Sequence, residues 1–205
     1  MDVRERTEAL RKIRDEILAL TDSPLAQYRT SHHYYPVIGE GSHTAQLMFI
    51  GEAPGRTEAE TGRPFVGPAG RVLEELLESV GMTRAEVYIA NILKDRPPEN
   101  RDPLPEEITL YAPFLDRQIE IIQPKIIATL GRYSLAYIMR RFELDLNLQP
   151  ISYLHGKSFR AQSSYGDISI VCLYHPAVVV YNNRMKDTLK KDFQILKELS
   201  TYYGS

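Results

Sequence analysis

Residues 45–81, AQLMFIGEAPGRTEAETGRPFVGPAGRVLEELLESVG, combine an apolar run, a loop and a helical pattern. The apolar run at 45–51 is typical of a buried β-strand. Residues 51–70 hold five glycines and three prolines, which disfavour regular structure. The segment 70–81 then has a helical pattern that ends at Gly81. This stretch therefore predicts a strand–loop–helix unit, from which parallel α/β sheets are built.

The same alternation of strand and helix continues along the chain. Further strands are predicted at 86–94, at 125–131 and from 168 onward, and further helices at 106–124, 132–142 and 185–203. Segments 23–44, 95–105 and 155–160 are predicted to be irregular. The pattern indicates an α/β fold, a parallel sheet with helices on both faces.

The N-terminal residues 1–20 are predicted to form an amphipathic helix. Leu10, Ile13, Ile17 and Leu20 recur there at helical spacing. A chain of 205 residues is expected to form a single domain, in which this helix precedes a core at 21–205.

Composition restricts the classes of function. A net charge of −2 does not indicate a general affinity for nucleic acid, so any such site would depend on local positive potential. The single cysteine, Cys172, excludes an internal disulfide and a site with several cysteine ligands. No apolar run approaches membrane-spanning length, and the N-terminus is charged. We therefore expect a soluble, cytoplasmic protein with no membrane partner.

Unusual residues lie at the carboxyl ends of three of the predicted strands. They begin at Gly51, at Asn91 and at the pair His175-Pro176. Ligands of parallel α/β proteins bind at the carboxyl ends of the strands. The candidate site is therefore expected where these three stretches meet.

The loop after the first strand allows more than one interpretation. Glycine-rich loops can bind phosphate, but neither G-x-G-x-x-G nor the P-loop motif is present. Its prolines remove backbone donors, and Glu52 would repel an anion. A tight structural connection is the alternative. Phe65 either packs this loop onto the core or offers a flat face on which a planar ring stacks.

Asn91 and His175 also have two interpretations each. Asn91 either caps a turn or uses its amide donor and acceptor to read the edge of a pyrimidine. His175, held in a turn by Pro176, either satisfies local backbone groups or stabilises negative charge on a leaving group. The other histidines have no identifiable partners, so no metal site is predicted.

Five stretches together resemble one known family. GEAPG, TGRPFVGPAG, NILKDRPPENRDP, QPKIIATLG and YHPA occur in the order and at the spacing of the family four uracil-DNA glycosylases. The resemblance extends from about Ser23 to the last helix. It implies a three-layer α/β/α fold around a four-stranded parallel sheet. It also implies a monofunctional DNA-repair hydrolase that removes uracil from DNA after flipping the nucleotide into a pocket. We expect a monomer whose partner is uracil-containing DNA, single- or double-stranded.

The resemblance implies roles for individual residues. Phe65 would stack on the uracil ring, and Asn91 would bond its N3/O4 edge. His175 would stabilise the negative charge that grows on O2.

The first loop would complete this pocket. The backbone around Glu52 and Ala53 would help to hold O2, and Gly51 would permit close approach. Glu52 would position the attacking water. A uracil anion is a fair leaving group, so donors to O2 suffice without a strong nucleophile.

Contacts with DNA are expected from two loops and one turn. The candidate phosphate-binding residues are Lys94, Arg96, Arg101, His155, Lys157 and Arg160; a solvated face is the alternative for each. Val178 and Val179 match the segment that wedges into the duplex.

The chain departs from the family where cysteines hold an iron–sulfur cluster. The matching positions are Leu20, Ser23, Asp95 and Tyr111. Because thiolates are the ordinary ligands of such clusters, we predict no cluster and no other cofactor.

Two other functions stay open. One is a binding protein on the same fold that senses DNA damage or a partner without catalysis. The other is a glycosylase for other deaminated bases. The presence of Glu52, Phe65, Asn91 and His175 together favours the uracil-removing enzyme.

Overall fold

The computed structural model describes residues 1–204, which are built around a six-stranded sheet. The strands are β1 (Glu40–Gly41), β2 (Leu47–Gly51), β3 (Tyr88–Asn91), β4 (Ile126–Leu130), β5 (Lys157–Ser163) and β6 (Gly166–Leu173). Their order is β1-β3-β2-β4-β6-β5. The inner four strands are parallel, and β1 and β5 add antiparallel edges. Ser205, the last residue of the predicted core 21–205, lies outside the described residues.

Helices cover both faces of the sheet. They are α1 (Val3–Leu18), α2 (Pro24–Ser31), α3 (Arg56–Thr61), α4 (Pro68–Ser79), α5 (Pro105–Ile122), α6 (Arg132–Arg141), α7 (Ile151–Leu154), α8 (Ala177–Tyr181) and α9 (Met185–Gly204). Helices α1, α5 and α6 pack on one face, and α4 and α9 pack on the other. None of the helices in the described range is long and apolar enough to cross a membrane.

Strand β2 shows how the sequence builds two apolar cores. Met48 and Ile50 join the core under α1, α5 and α6, while Leu47 and Phe49 join the core under α4 and α9. The side chains alternate between faces, and the whole strand is buried. Each fully buried side chain of this size contributes about 1.5–3 kcal/mol. A strand covered on both faces therefore has an uninterrupted apolar sequence.

The predicted α/β class and the three-layer arrangement are confirmed, and all four predicted parallel strands are present. The helices predicted at 1–20, 70–81, 106–124, 132–142 and 185–203 are also present with slightly different ends. The sheet is wider than the four strands that the resemblance implies, because β1 and β5 extend it at its edges.

Three segments predicted to be irregular contain regular structure, and one of them, 51–70, contains α3. Within 23–44, α2 begins after Ser23, whose Oγ accepts the N–H of Ala26 at 3.0 Å, and Pro24 takes the first helical position. Residues 157–160 of the segment predicted as a loop at 155–160 belong to β5. This strand pairs with β6 up to the turn at Gly166. Most β5 residues are exposed, so the strand lacks the alternation that marks a half-buried strand.

The register of the parallel strands positions the site. Gly51 pairs with Asn91, and Leu130 pairs with Leu173. The strands therefore end at the same edge, and the residues that follow them meet there.

Candidate active site

A cleft of about 590 Å³ lies at the carboxyl ends of the parallel strands. Glu52, Phe65, Asn91 and His175 all line it, so four of the residues singled out in the sequence come together. Gly51 lies at the end of β2, paired with Asn91. A Cβ at Gly51 would come within 2.3 Å of Asn91 Oδ1 and 2.7 Å of Phe65 Cζ. Only glycine at this position allows these two side chains to approach.

Phe65 packs onto the core and also lines the cleft. The side chain is 5% exposed and packs against the core under α4 and α9. Its ring also lines the cleft and stacks on the imidazole of His175, with ring centroids 5.5 Å apart and an interplanar angle of 29°. The Phe65 ring therefore forms one side of the cleft, where a planar ligand can bind.

Asn91 presents an unused acceptor to the cleft. The residue is 1% exposed, and its Oδ1 has no hydrogen-bond partner within residues 1–204. Its backbone carbonyl accepts from the ammonium of Lys94 at 2.7 Å. A buried acceptor without a partner carries a free-energy cost of about 1–3 kcal/mol. The amide is therefore suited to a ligand that offers an N–H.

His175 has a defined proton position. Its Nδ1 accepts the backbone N–H of Ala177 at 3.1 Å, so the proton of the neutral ring lies on Nε2. Burial lowers the pKa of His175 to about 4, against the opposing effect of the Glu58 carboxylate. At neutral pH the imidazole is therefore uncharged and can donate one hydrogen bond from Nε2.

Glu52 is held at the start of α6. Its Oε1 accepts the N–H of Tyr133 at 3.0 Å, where the helix dipole favours negative charge. Burial raises the pKa of Glu52, while the Tyr133 amide and the Arg132 guanidinium oppose that rise. Gly131 has a φ of +101°, and a Cβ there would lie 2.4 Å from Oε1. The carboxylate is oriented by backbone and remains partly desolvated. Ala53 lines the same cleft.

The expectation that Lys94 contacts DNA is wrong. Lys94 is 0% exposed, and its ammonium donates to Gln118 Oε1 at 2.6 Å and to the Asn91 carbonyl at 2.7 Å. Burial lowers the pKa of Lys94 to about 7. This side chain therefore supports the strand end that carries Asn91.

The other candidate phosphate-binding cations are nearer the surface. Arg101 lines the cleft and forms an ion pair with Glu107. Arg96 is half-buried and bonds the Tyr34 hydroxyl at 2.9 Å. Lys157 is exposed at the start of β5 and does not line the cleft.

The remaining two basic candidates have aromatic neighbours. His155 pairs with Asp192 at 2.8 Å and stacks on Tyr174. Arg160 lies over the ring of Tyr202.

The expected wedge residues need one correction. Val179 is only 6% exposed and packs in the core under α4 and α9. Val178 is half-buried at the cleft. The exposed apolar side chains at the rim are Val180 and Tyr181, which are 48% and 89% exposed. The turn continues as α8, which rotates Val179 inward.

The four positions that the resemblance matches to cluster cysteines lie around one polar network. The Tyr111 hydroxyl donates to Asp95 Oδ2 at 2.6 Å and lies 3.2 Å from Ser23 Oγ. Arg29 donates to both Asp95 oxygens, at 3.0 and 3.1 Å, and to the Leu20 carbonyl at 3.1 Å. This donor set does not fit an iron–sulfur cluster, because it has no thiolate. Within residues 1–204, no group of three His, Cys, Asp or Glu could hold a metal ion.

Three side chains around the cleft were not identified from the sequence. Glu58 and Asp102 line it, and Arg84 bonds the turn that carries Phe65. Glu58 lies on α3, inside the segment predicted to be a loop. The signal for that helix is a polar run between Gly55 and Gly62, because a left-handed glycine commonly ends a helix.

The fold and the cleft define an α/β protein with a mostly parallel sheet and a cleft at the carboxyl ends of the parallel strands. Residues 38–198 match the family model described as the uracil DNA glycosylase superfamily. The chain belongs to this superfamily.

Curated relatives cover nearly the whole chain. A type-4 uracil-DNA glycosylase of Sulfurisphaera tokodaii is 42% identical over 94% of this chain and 86% of its own length. The type-4 enzyme of Archaeoglobus fulgidus is 40% identical over 94% of both chains. That of Saccharolobus solfataricus is 42% identical over 91% of this chain and 84% of its own length.

Proposed function

We propose that this protein is a uracil-DNA glycosylase, a hydrolase of base excision repair that acts on single- or double-stranded DNA. The observation that carries the proposal is the meeting of three groups in one cleft: the free Oδ1 of Asn91, the Nε2–H of His175 and the ring of Phe65. The similarity to relatives named type-4 uracil-DNA glycosylase supports it.

Recognition of the base uses two of these groups. The target nucleotide leaves the stack and its uracil ring enters the cleft. The ring stacks on Phe65, an interaction worth about 1–3 kcal/mol per base. Asn91 Oδ1 accepts the N3–H of uracil, and its amide nitrogen donates to O4. Cytosine has no N3–H and carries an amine at C4, so the same amide disfavours it.

Cleavage requires stabilisation of the departing base. The bond between C1′ of the sugar and N1 of the base breaks, and its electron pair goes to the uracil. The neutral His175 donates from Nε2 to O2, with help from the backbone around Glu52 and Ala53. One such donor contributes about 3–4 kcal/mol at oxyanion sites.

Glu52 acts on the water. The oxygen of a water molecule bonds C1′, and its proton passes to the carboxylate form of Glu52. Burial raises the pKa of Glu52, which makes it a better proton acceptor than an exposed carboxylate. The hydrogen bond from Tyr133 leaves the second oxygen, Oε2, for the water.

The rim of the cleft contacts the DNA. Val180 and Tyr181 are the exposed apolar side chains that can fill the space left by the flipped base. Arg101 and Arg96 lie on the loop beside them and are the candidate phosphate-binding residues. Lys157 and Val178 are proposed as secondary contacts.

We further propose that the enzyme works without an iron–sulfur cluster, as a monomer and as a single domain. The network of Arg29, Asp95, Tyr111 and Ser23 supports the first point. Helix α1 shares its apolar core with the sheet, which supports a single domain.

The test is base release from oligonucleotides that contain uracil, hypoxanthine, xanthine or thymine. We expect uracil to be released fastest and His175→Ala to be slower by about 10²–10³-fold. Release of a purine base ahead of uracil would favour the glycosylase for other deaminated bases. Tight binding of uracil-containing DNA with no release would favour the non-catalytic binding protein.

A further inference from the structure

The turn that carries Phe65 has an unusual backbone. The Phe65 turn, defined here as residues 64–67, places Phe65 at a φ of +50°. A bulky residue rarely adopts this left-handed conformation, because its Cβ crowds the backbone. Such strain persists only where surrounding contacts hold the residue in place. The contacts that hold this turn are therefore of functional interest.

Arg84 binds the carbonyl side of the Phe65 turn. Its Nη1 donates to the Phe65 carbonyl at 2.9 Å, and its Nη2 donates to the Pro64 carbonyl. The guanidinium side chain is 15% exposed and is itself held by Glu40, with Nε 3.3 Å from Oε1. A rigid fork that meets two successive carbonyls fixes their direction as well as their distance.

Glu58 binds the amide side of the same turn. Its Oε1 accepts the N–H groups of Val66 and Gly67, at 3.0 and 2.7 Å. These amides lie at the start of α4, where no side chain of the N-cap residue, Gly67, is available. One acceptor oxygen therefore holds two successive amides of the turn.

Gly70 completes the packing of the turn from α4. A Cβ at this position would lie 1.9 Å from the Phe65 carbonyl oxygen. The Phe65 backbone is therefore enclosed by three elements: α3 through Glu58, the segment before β3 through Arg84, and α4 through Gly70. The ring projects from this turn onto His175.

We propose that Arg84 and Glu58 are positioning residues that hold the Phe65 ring at the angle needed to stack on the base. This inference rests on the proposed function, since it takes the ring of Phe65 as the stacking surface. Arg84 does not line the cleft, and Glu58 lines it but engages its Oε1 with the two turn amides. Both act through the four backbone groups of the Phe65 turn.

A double-mutant cycle tests the proposal. Single-turnover uracil release is measured for the parent, Arg84→Gln, Phe65→Ala and the double variant. We expect Arg84→Gln to slow release about tenfold when Phe65 is present and less than about twofold in the F65A background, because coupled residues are non-additive. Arg63→Gln is the matched control, since Arg63 also pairs with Glu40 but does not bond the turn. Equal slowing in both backgrounds, or by the control, would overturn the proposal.

A second pair of variants separates the hydrogen-bond acceptor of Glu58 from its charge. Glu58→Gln keeps an oxygen that can accept the two amides, whereas Glu58→Ala removes it. We expect Glu58→Ala to lose about tenfold in rate, and Glu58→Gln to recover most of it. Equal losses in the two variants would overturn the role of Glu58 in holding the turn.

A fluorescence measurement separates this proposal from the proposed function. The chain contains no tryptophan, so Phe65→Trp introduces a single reporter at the turn. We expect Arg84→Gln and Glu58→Ala to lower its anisotropy and raise its quenching by acrylamide, while Arg63→Gln changes neither. This holds even if the parent releases no uracil, in which case only the proposed function fails. An unchanged signal in Arg84→Gln and Glu58→Ala would overturn the positioning role.

Discussion

The backbone N–H of Tyr133 donates to Glu52 Oε1 at 3.0 Å. This hydrogen bond connects the loop after β2 to the start of α6. The two residues lie far apart in sequence, and the contact exists because β2 and β4 end side by side. Gly131 makes room for it, since a Cβ there would lie 2.4 Å from the same oxygen. The carboxylate is therefore fixed by backbone atoms while burial raises its pKa.

Glu52→Gln should slow uracil release and stabilise the fold. Loss of a positioned proton acceptor costs about 10²–10⁴ in rate. The parent rate should rise with pH through a value above the ordinary 4.5, and the variant should lose this dependence.

The same substitution should change stability. Because the pKa of Glu52 is raised in the folded state, the free energy of unfolding of the parent decreases as pH rises through that range, and it stays lower at neutral pH. The variant should thus have the higher Tm. Glu60→Gln is the control, and a pH profile shared by all three proteins would contradict this role.

The buried Lys94 should make the free energy of unfolding depend on pH above about 7. Its pKa of about 7 in the folded protein lies below the ordinary value of about 10.4, because burial disfavours the charge. Between these values the unfolded chain binds more protons, so this group makes stability rise with pH. The gain is at most about 1.4 kcal/mol per pH unit. Lys94→Met should remove it.

Urea unfolding of the parent and of Lys94→Met over this pH range measures the effect. The free energy of unfolding of the parent, minus that of the variant, should increase with pH. Taking this difference removes the contributions of the buried tyrosines and of Cys172, which both proteins share. A difference that stays constant with pH would show that the lysine does not titrate as described.

The network at the cluster positions should contribute to stability rather than to catalysis. Tyr111→Phe removes a donor to a buried carboxylate and should cost about 1–3 kcal/mol. Asp95→Asn leaves the Arg29 charge unpaired and should cost about 3–5 kcal/mol. Tyr137→Phe is the matched control, because its hydroxyl bonds Asp116 at 2.8 Å in a less buried position.

Iron content provides the second measurement on this network. Purified protein should carry no stoichiometric iron and no visible iron–sulfur absorbance, and chelators should leave its activity unchanged. Stoichiometric iron would refute the proposal that the protein works without an iron–sulfur cluster.

Tyr181 should matter for duplex DNA more than for single strands. The side chain is 89% exposed at the rim of the cleft, where it can stack in the gap left by a flipped base. Tyr181→Ala should slow release from duplex about tenfold and from single strands little, because single strands need no such support. Tyr153→Ala, at another exposed tyrosine, is the control. Equal effects on both substrates would remove Tyr181 from the wedge.

The parallel core and the edge that carries the site follow from local sequence. Buried parallel strands have continuous apolar runs, and Gly51, Asn91 and His175 directly follow such runs. Strand β5 and helix α3 could not be found this way, since their residues are mostly polar and exposed. Their structure depends on pairing with β6 and on a terminal glycine.

Burial of individual side chains was the harder prediction. Lys94 has an ionisable side chain and lies just after β3, yet it enters the core to bond Gln118, a residue on distant α5. Val179 follows the site turn, but α8 rotates it inward and exposes Val180 instead. Both outcomes depend on tertiary contacts that local patterns do not contain. The positive φ of Phe65 and the contacts of its turn with Glu58 and Arg84 likewise depend on tertiary structure.

The most direct measurement of the central claim is single-turnover release of uracil from a uracil-containing duplex by the parent and by Asn91→Ala. Asn182→Ala, at an exposed asparagine, is the control. Truncation removes the amide that bonds the N3/O4 edge, so we expect release by Asn91→Ala to be slower by about 10²–10³-fold. The control should match the parent. Equal rates for the parent and Asn91→Ala, or no release by the parent, would contradict the account.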